Sequence, residues 1–92
     1  MEKLELEVYS QAANAAVVRA PGRQFPGVVV QGDTLSILHS AAGEIAERVR
    51  SGADEELAAE AAMLRDQLAG LLAAYESAMD RHGLALPYSR AV

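Results

Sequence analysis

The sequence predicts an α+β fold in which two or three short antiparallel strands precede a long antiparallel helical hairpin. Apolar and polar residues alternate near the N-terminus, proline–glycine pairs follow, and apolar residues then recur every three or four positions. No helical segment separates the expected strands, which favours antiparallel pairing. The chain has 92 residues, enough for one core, and we expect residues 1–92 to form a single domain.

Three segments have strand character: residues 3–9, 15–19 and 27–31. In the first segment Leu4, Leu6 and Val8 alternate with polar side chains, which is the pattern of a half-buried strand. The third segment contains three consecutive valines, which are β-branched and apolar, so this strand should be more buried.

Two proline–glycine pairs lie between the second and third segments, Pro21-Gly22 and Pro26-Gly27. Proline presets φ for the second position of a type II turn, and glycine accepts the positive φ that the third position requires. We therefore expect the chain to turn at both pairs.

Helical periodicity appears in residues 34–50 and in residues 54–82. Residues 84–92 form a short tail. Asp33 or Thr34 is a suitable N-cap for the first helix. Glu55 and Glu56 would stabilise the start of the second helix, because the helix dipole favours acids there. Gly83 is placed to end it.

Each helix should bury one apolar stripe with spacings of three and four. In the first helix the stripe comprises Leu35, Leu38, Ala42, Ile45 and Val49. In the second it comprises Leu57, Ala61, Leu64, Leu68, Leu71, Tyr75 and Met79.

The second predicted helix is long for a chain of this size. It would span about 43 Å, whereas a compact domain of this length is about 30 Å across. The helix would therefore project, bend at Gly70 or pack against another chain, and the last alternative gives a homodimer through the second helix. Alanines also widen the apolar surface of this helix beyond one stripe, which would permit contacts on two sides. Ordinary alanine-rich helix composition is the simpler explanation of this wide surface.

The composition excludes several functional classes. Thirteen acids and eight bases give a net charge of −5, which disfavours nucleic acid or anionic lipid as a partner because both need clustered cations. The absence of cysteine excludes disulfides and thiol catalysis. No apolar run approaches the length that spans a bilayer, and the N-terminus lacks a signal-peptide core. We expect a cytoplasmic protein.

We identify no catalytic, metal-ligating or cofactor-binding residues in the sequence. His39 and His82 lie far apart, and neither has a second ligand at a spacing typical of zinc sites. Ser36 and Ser40 lack the surroundings of a nucleophilic serine. The chain is therefore predicted not to be an enzyme and to need no cofactor.

The segment from 19 to 33 combines turn residues with positive charge just before a helix, and it holds most of the candidate site: Arg19, Arg23, Gln24, Phe25, Gly32 and Asp33. Three interpretations remain open. The segment could be scaffold, with Phe25 filling the core. It could be a protein-recognition loop. It could also bind an anion between the two arginines and the backbone N–H groups near Gly32, although Asp33 would oppose an anion there.

The residues RAPGRQFPGVVVQGDTLSIL, positions 19–38, resemble a family of small bacterial proteins of unknown function with the segment R-x-P-G-R-x-F-P-G-V-V-x-Q-G-D. The resemblance covers about residues 5–45. It implies no catalytic residues. By analogy of size and charge alone, small acidic proteins of this kind are often immunity or accessory proteins encoded beside bacterial toxins.

These observations favour a non-enzymatic protein-interaction module, of the immunity-type inhibitor or regulatory class, with another protein as its partner. The acidic surface would steer the chain toward a basic protein. The start of the second helix adds three candidate contact residues: Glu55, Glu56 and Glu60. The alternatives are an anion or small-ligand binding domain that uses residues 19–33, and a structural homo-oligomer subunit.

Overall fold

The computed structural model describes residues 1–11 and 16–90. The chain forms three strands, β1 (Glu7–Ser10), β2 (Val17–Arg19) and β3 (Gly27–Val28), followed by two helices, α1 (Gly32–Arg50) and α2 (Glu55–Arg81). This arrangement confirms the predicted α+β class. The chain divides into two compact units, which we term the sheet unit, Met1–Gln31, and the helical unit, Gly32–Val92.

The sheet unit is a three-stranded antiparallel sheet in the order β1-β2-β3. Val18 of β2 pairs with Val8 on one side and with Gly27 on the other. The pairing of β3 continues beyond its end, because the Val29 amide donates to the Ala16 carbonyl at 2.8 Å. An irregularity after Val8 shifts the register of β1 by one residue, and such a bulge ends strict alternation.

The strands are shorter and more exposed than their sequence pattern predicts. Residues 3–6 precede β1, and residue 15 of the second predicted strand lies outside the described residues. The prediction that the third strand is more buried is wrong, since β3 is exposed and β2 is half-buried. The sheet order explains the difference, because β2 has a neighbour on both sides and β3 is an edge strand.

The helical unit is a hairpin in which α1 packs against α2. Its buried apolar side chains, among the residues described, are two leucines and two alanines: Leu35, Ala42, Ala46 and Leu72. Gly32 is also buried at the start of α1. A Cβ atom built at this position would overlap the ring of Tyr75 on α2. Small residues thus allow the two helices to approach closely.

Both ends of α2 are capped, and the end at Gly83 is the one that the sequence predicted. Asp54 is the N-cap, and its carboxylate accepts the Leu57 amide at 3.0 Å. At the other end Gly83 has a φ of +65°. The Leu84 amide donates to the Met79 carbonyl at 2.9 Å, and the Gly83 amide donates to the Asp80 carbonyl at 3.2 Å. This pair of bonds is the Schellman motif, which satisfies the last carbonyls of a helix.

The predicted apolar stripes are only partly buried. Leu38 and Ile45 of α1 are exposed, whereas Ala46, which was not in the predicted stripe, is buried. Leu57, Leu64 and Leu71 of α2 are exposed as well, and Leu72 is buried in their place. A contact between two helices covers a narrower band than a full core does, so residues at the edge of each stripe stay open.

Candidate functional site

The turn that follows β2 has the predicted geometry. The Arg23 amide donates to the Ala20 carbonyl at 3.1 Å, and Gly22 has a φ of +79°. This is the value that the third position of a type II turn requires, and Pro21 occupies the second position. The backbone between Arg19 and Arg23 is therefore fixed by its own sequence.

The second proline–glycine pair does not repeat this turn. Gly27 lacks a positive φ and instead begins β3, where it pairs with Val18. The preceding Phe25, the one phenylalanine of the sequence, is 73% exposed. The interpretation that Phe25 fills the core is therefore wrong.

Arg19 is engaged within the sheet unit. Its guanidinium forms an ion pair and hydrogen bond with the Glu7 carboxylate on β1, and the Tyr9 hydroxyl donates to the same carboxylate at 3.1 Å. The hydrogen bonds from Arg19 and then Tyr9 lower the pKa of Glu7. The hydrogen bond that Arg19 donates to Glu7, followed by the negative charge of Glu7, raises the pKa of Arg19. Arg19 thus serves to join β1 to β2.

Arg23 and Gln24 are exposed beside the turn. Arg23 forms no ion pair with any residue that the structure describes. A depression of about 350 Å³ lies between the turn and β1, and its lining includes two carboxylates and two guanidiniums: Glu5, Glu7, Arg19 and Arg23. The charges in this lining balance, so the depression is not a cationic pocket.

Gly32 and Asp33 belong to the helical unit rather than to the turn region. The Asp33 carboxylate accepts the Thr34 amide at 2.9 Å, and helix α1 begins at Gly32 rather than at residue 34. The Asp33 carboxylate therefore already accepts a hydrogen bond from one of the backbone N–H groups that an anion bound at this position would need. The structure supplies no observation that favours this interpretation.

The three candidate acids of α2 are exposed. Glu55 and Glu56 lie in the first turn, and Glu60 follows one turn later. None of the three forms an ion pair with the described part of the chain. Their charges are therefore available to a partner.

A polar network near the C-terminus was missed by the sequence analysis. The Tyr88 hydroxyl donates to the Glu76 carboxylate at 2.9 Å. Arg90 donates to both carboxylate oxygens of Asp80 at 2.8 Å, and its Nε lies 3.9 Å from Glu76. Burial, followed by the hydrogen bond with Glu76, raises the pKa of Tyr88 to about 12. The sequence signal is a pair of acids spaced four apart on α2, with Tyr and Arg in the tail.

This tail borders a cleft of about 250 Å³ on the helical unit. Ser36, His39 and Ser40 of α1 form one wall, and Glu76, Tyr88 and Arg90 lie on the other. The charged groups of the second wall already satisfy one another. Within residues 1–11 and 16–90, no group of three or more histidine or acidic side chains could hold a metal ion.

Exposed aliphatic side chains lie along both helices of the hairpin: Leu38 and Ile45 on α1, and Leu57, Leu64 and Leu71 on α2. We term this set the aliphatic face. Spacings of seven place each series on one side of its helix. When each helix is viewed from its N-terminus, its exposed series is rotated in the same sense away from its buried residues. Because the helices are antiparallel, both series therefore border the same side of the hairpin.

The fold is that of a small α+β protein, with a three-stranded antiparallel sheet and a two-helix hairpin. None of the helices described has the length and apolar character needed to cross a bilayer. The chain belongs to the family of unknown function DUF6959, which matches it over residues 1–88. No curated protein and no solved structure matches the chain. The resemblance to a family of unknown function is thereby confirmed, whereas the quoted segment pattern and a bacterial origin stay predictions.

Proposed function

We propose that the chain is a non-enzymatic protein-interaction module that recognises another protein through Arg23, Gln24 and Phe25. The observation that carries the proposal is the 73% exposure of Phe25 directly after a turn of fixed geometry. A large aromatic side chain in water gains free energy when a partner covers it. A scaffold residue would instead be buried.

The neighbours of Phe25 fit this role. Arg23 has its guanidinium free of ion pairs within the described residues, and aromatic and arginine side chains supply most of the binding energy in protein interfaces. Gly22 and Pro21 hold the backbone in one conformation, which lowers the entropy that binding would cost. Arg19, which directly precedes the turn, is held in place by its ion pair with Glu7.

The partner is a protein that is basic overall. The net charge of −5 favours encounter with such a protein, while Arg23 requires a carboxylate or a carbonyl group at the contact itself. An immunity-type inhibitor or a small regulatory partner in the bacterial cytoplasm combines these properties. An anion-binding function lacks support, because the depression beside the turn holds as many carboxylates as guanidiniums.

The test is affinity purification from the source cells with tagged wild-type chain, followed by calorimetry with the purified partner. Phe25→Ser should weaken binding by about 2 kcal/mol, or about 30-fold in Kd. Arg23→Ala should have an effect in the same direction.

Ile37→Ser is the matched control, because Ile37 is an aliphatic residue of the helical unit that is also largely exposed. It should leave the Kd unchanged. A partner that binds wild type, Phe25→Ser and Ile37→Ser with equal affinity would show that the turn region is not the recognition site.

A further inference from the structure

We infer that the aliphatic face of the hairpin is a second interaction surface, and that its occupant is a basic amphipathic helix of another protein. The surface belongs to the helical unit and Phe25 to the sheet unit. The inference deepens the proposed function by naming a partner chemistry, but it rests on a separate observation.

The side chains of the aliphatic face are largely exposed to solvent. Leu38, Ile45, Leu64 and Leu71 are 45%, 54%, 52% and 59% exposed. They are long aliphatic side chains at helical spacing, and a surface of this kind marks a contact with another protein. An amphipathic helix can lay its own apolar stripe along such a face.

Acidic side chains border the aliphatic face on α2. Glu60 lies between Leu57 and Leu64 along α2, three residues from one and four from the other, and Glu56 precedes Leu57. Both carboxylates are free of ion pairs within the described chain. The apolar row on α2 is therefore flanked by negative charge near the tip of the hairpin.

The charge of the whole unit decides between possible occupants. Residues 32–92 hold ten acidic and five basic side chains, whereas residues 1–31 hold three of each. A second copy would bring two units of net charge −5 together, which like-charge repulsion disfavours. A helix with lysine or arginine beside its apolar stripe would bury the leucines of the aliphatic face, and its basic side chains would form ion pairs with Glu56 and Glu60.

The opposite side of the hairpin does not offer the same chemistry. Its acids Glu76 and Asp80 are paired with Tyr88 and Arg90 of the tail. The surface there is polar, with Ser36, His39 and Ser40. Among the described residues, this opposite side therefore lacks a pair of apolar rows like that of the aliphatic face.

The experiment uses the full chain and two synthetic peptides, each of about five helical turns to match α1. Both carry leucine at positions i, i+3, i+4 and i+7, with lysine at the remaining positions of one and glutamate at those of the other. Fluorescence anisotropy should show binding of the lysine peptide at least 10-fold tighter than that of the glutamate peptide. The affinity should fall as salt increases.

Two adjacent residues of α1 provide the matched variants. Leu38→Gln removes a member of the aliphatic face and should weaken binding of the lysine peptide at least 5-fold. Ile37→Gln changes a neighbouring exposed residue that points to another side of α1 and should leave the Kd within 2-fold of wild type. Phe25→Ser should also leave it unchanged, which separates this surface from the turn region.

Charge reversal provides a test that does not depend on the apolar residues. Glu56→Lys with Glu60→Lys should weaken binding of the lysine peptide and strengthen that of the glutamate peptide. Equal binding of the lysine peptide to the Leu38 and Ile37 variants would overturn the inference. So would sedimentation that shows wild type to be a dimer and Leu38→Gln a monomer, because the occupant would then be a second copy.

Discussion

Gly32, at the start of α1, lies so close to the ring of Tyr75 on α2 that a Cβ atom at position 32 would overlap the ring. A hydrogen atom is therefore the largest side chain that this contact accepts without movement. The contact lies at the open end of the hairpin, far along both helices from the connection at Ser51 and Gly52. It fixes how closely the helices approach at that end.

Gly32→Ala should destabilise the helical unit by about 1–3 kcal/mol, because overpacking of a close contact forces the ring or the backbone to shift. Urea unfolding followed by circular dichroism measures the change. Gly43→Ala is the matched control, since a Cβ atom there meets nothing within 4 Å. That variant should be stabilised by roughly 0.5–1 kcal/mol, as alanine is favoured over glycine inside a helix. Equal effects of both variants would contradict the close contact.

Gly22→Ala should destabilise the sheet unit by about 1–2 kcal/mol, because Gly22 has a φ of +79° and an L side chain is strained there. Gly27→Ala serves as its control, since Gly27 has no positive φ and open space around it. Its effect should stay within about 0.5 kcal/mol. Exchange of the backbone amides of β2 with deuterium reports on this unit directly.

Tyr88 gives a prediction for alkaline pH. Its pKa is raised to about 12 by burial and by the Glu76 carboxylate, while an unfolded tyrosine titrates near 10. The folded state therefore holds this proton more tightly, and the associated stability is complete below about pH 10 and is lost as the pH rises toward about 12.

The absorbance of tyrosinate at alkaline pH measures this titration. Tyr88→Phe should remove the component with the highest pKa, and Glu76→Gln should move that component toward the usual pKa of tyrosine. The tail prediction fails if Tyr88→Phe leaves the alkaline end of the titration curve unchanged.

Glu7 gives a prediction of the opposite sign. Its pKa is lowered by hydrogen bonds from Arg19 and Tyr9, so the folded state favours the ionised carboxylate. The stability that results is present above the unfolded pKa of about 4.3 and is lost as the pH falls through the lower folded value. Glu7→Gln should flatten the acid limb of the stability profile.

Arg19→Gln should flatten the same limb in part, because the hydrogen bond from Tyr9 remains. The double variant should not differ from Glu7→Gln, because both residues belong to one ion pair. Raised salt should weaken the effect, since both side chains are partly exposed. Fully additive effects of the two substitutions would show that the pair does not act together.

Local sequence signals predicted those parts of the fold that depend on neighbouring residues. Glu55 and Glu56 lie in the first turn of α2, Gly83 ends it, and Pro21-Gly22 forms the expected turn, because each outcome is set within about five residues. The order of elements also followed from periodicity. The residues of each feature set its geometry, which depends little on tertiary contacts.

Side-chain burial was harder to predict, because it depends on what packs against each element. One of the three interpretations of residues 19–33 had Phe25 in the core, but Phe25 is exposed. Ile45 was expected in the buried stripe and is also exposed. The contact between α1 and α2 instead uses Ala46, whose small size gives a weak hydropathy signal. The link from Tyr88 to Glu76 joins the tail to a helix, and the spacing of the acids on α2 does not by itself show which tail residues reach them.

The hairpin geometry has a kinetic consequence. Its two helices are joined by a short connection, so contacts near Ser51 close small loops and can form early, as is usual in chains with mostly local contacts. Gly32 and Tyr75 are 43 positions apart, and we expect their contact to form late in folding, because it closes a much longer loop. Changes at Gly32 should therefore accelerate unfolding while leaving the folding rate almost unaltered.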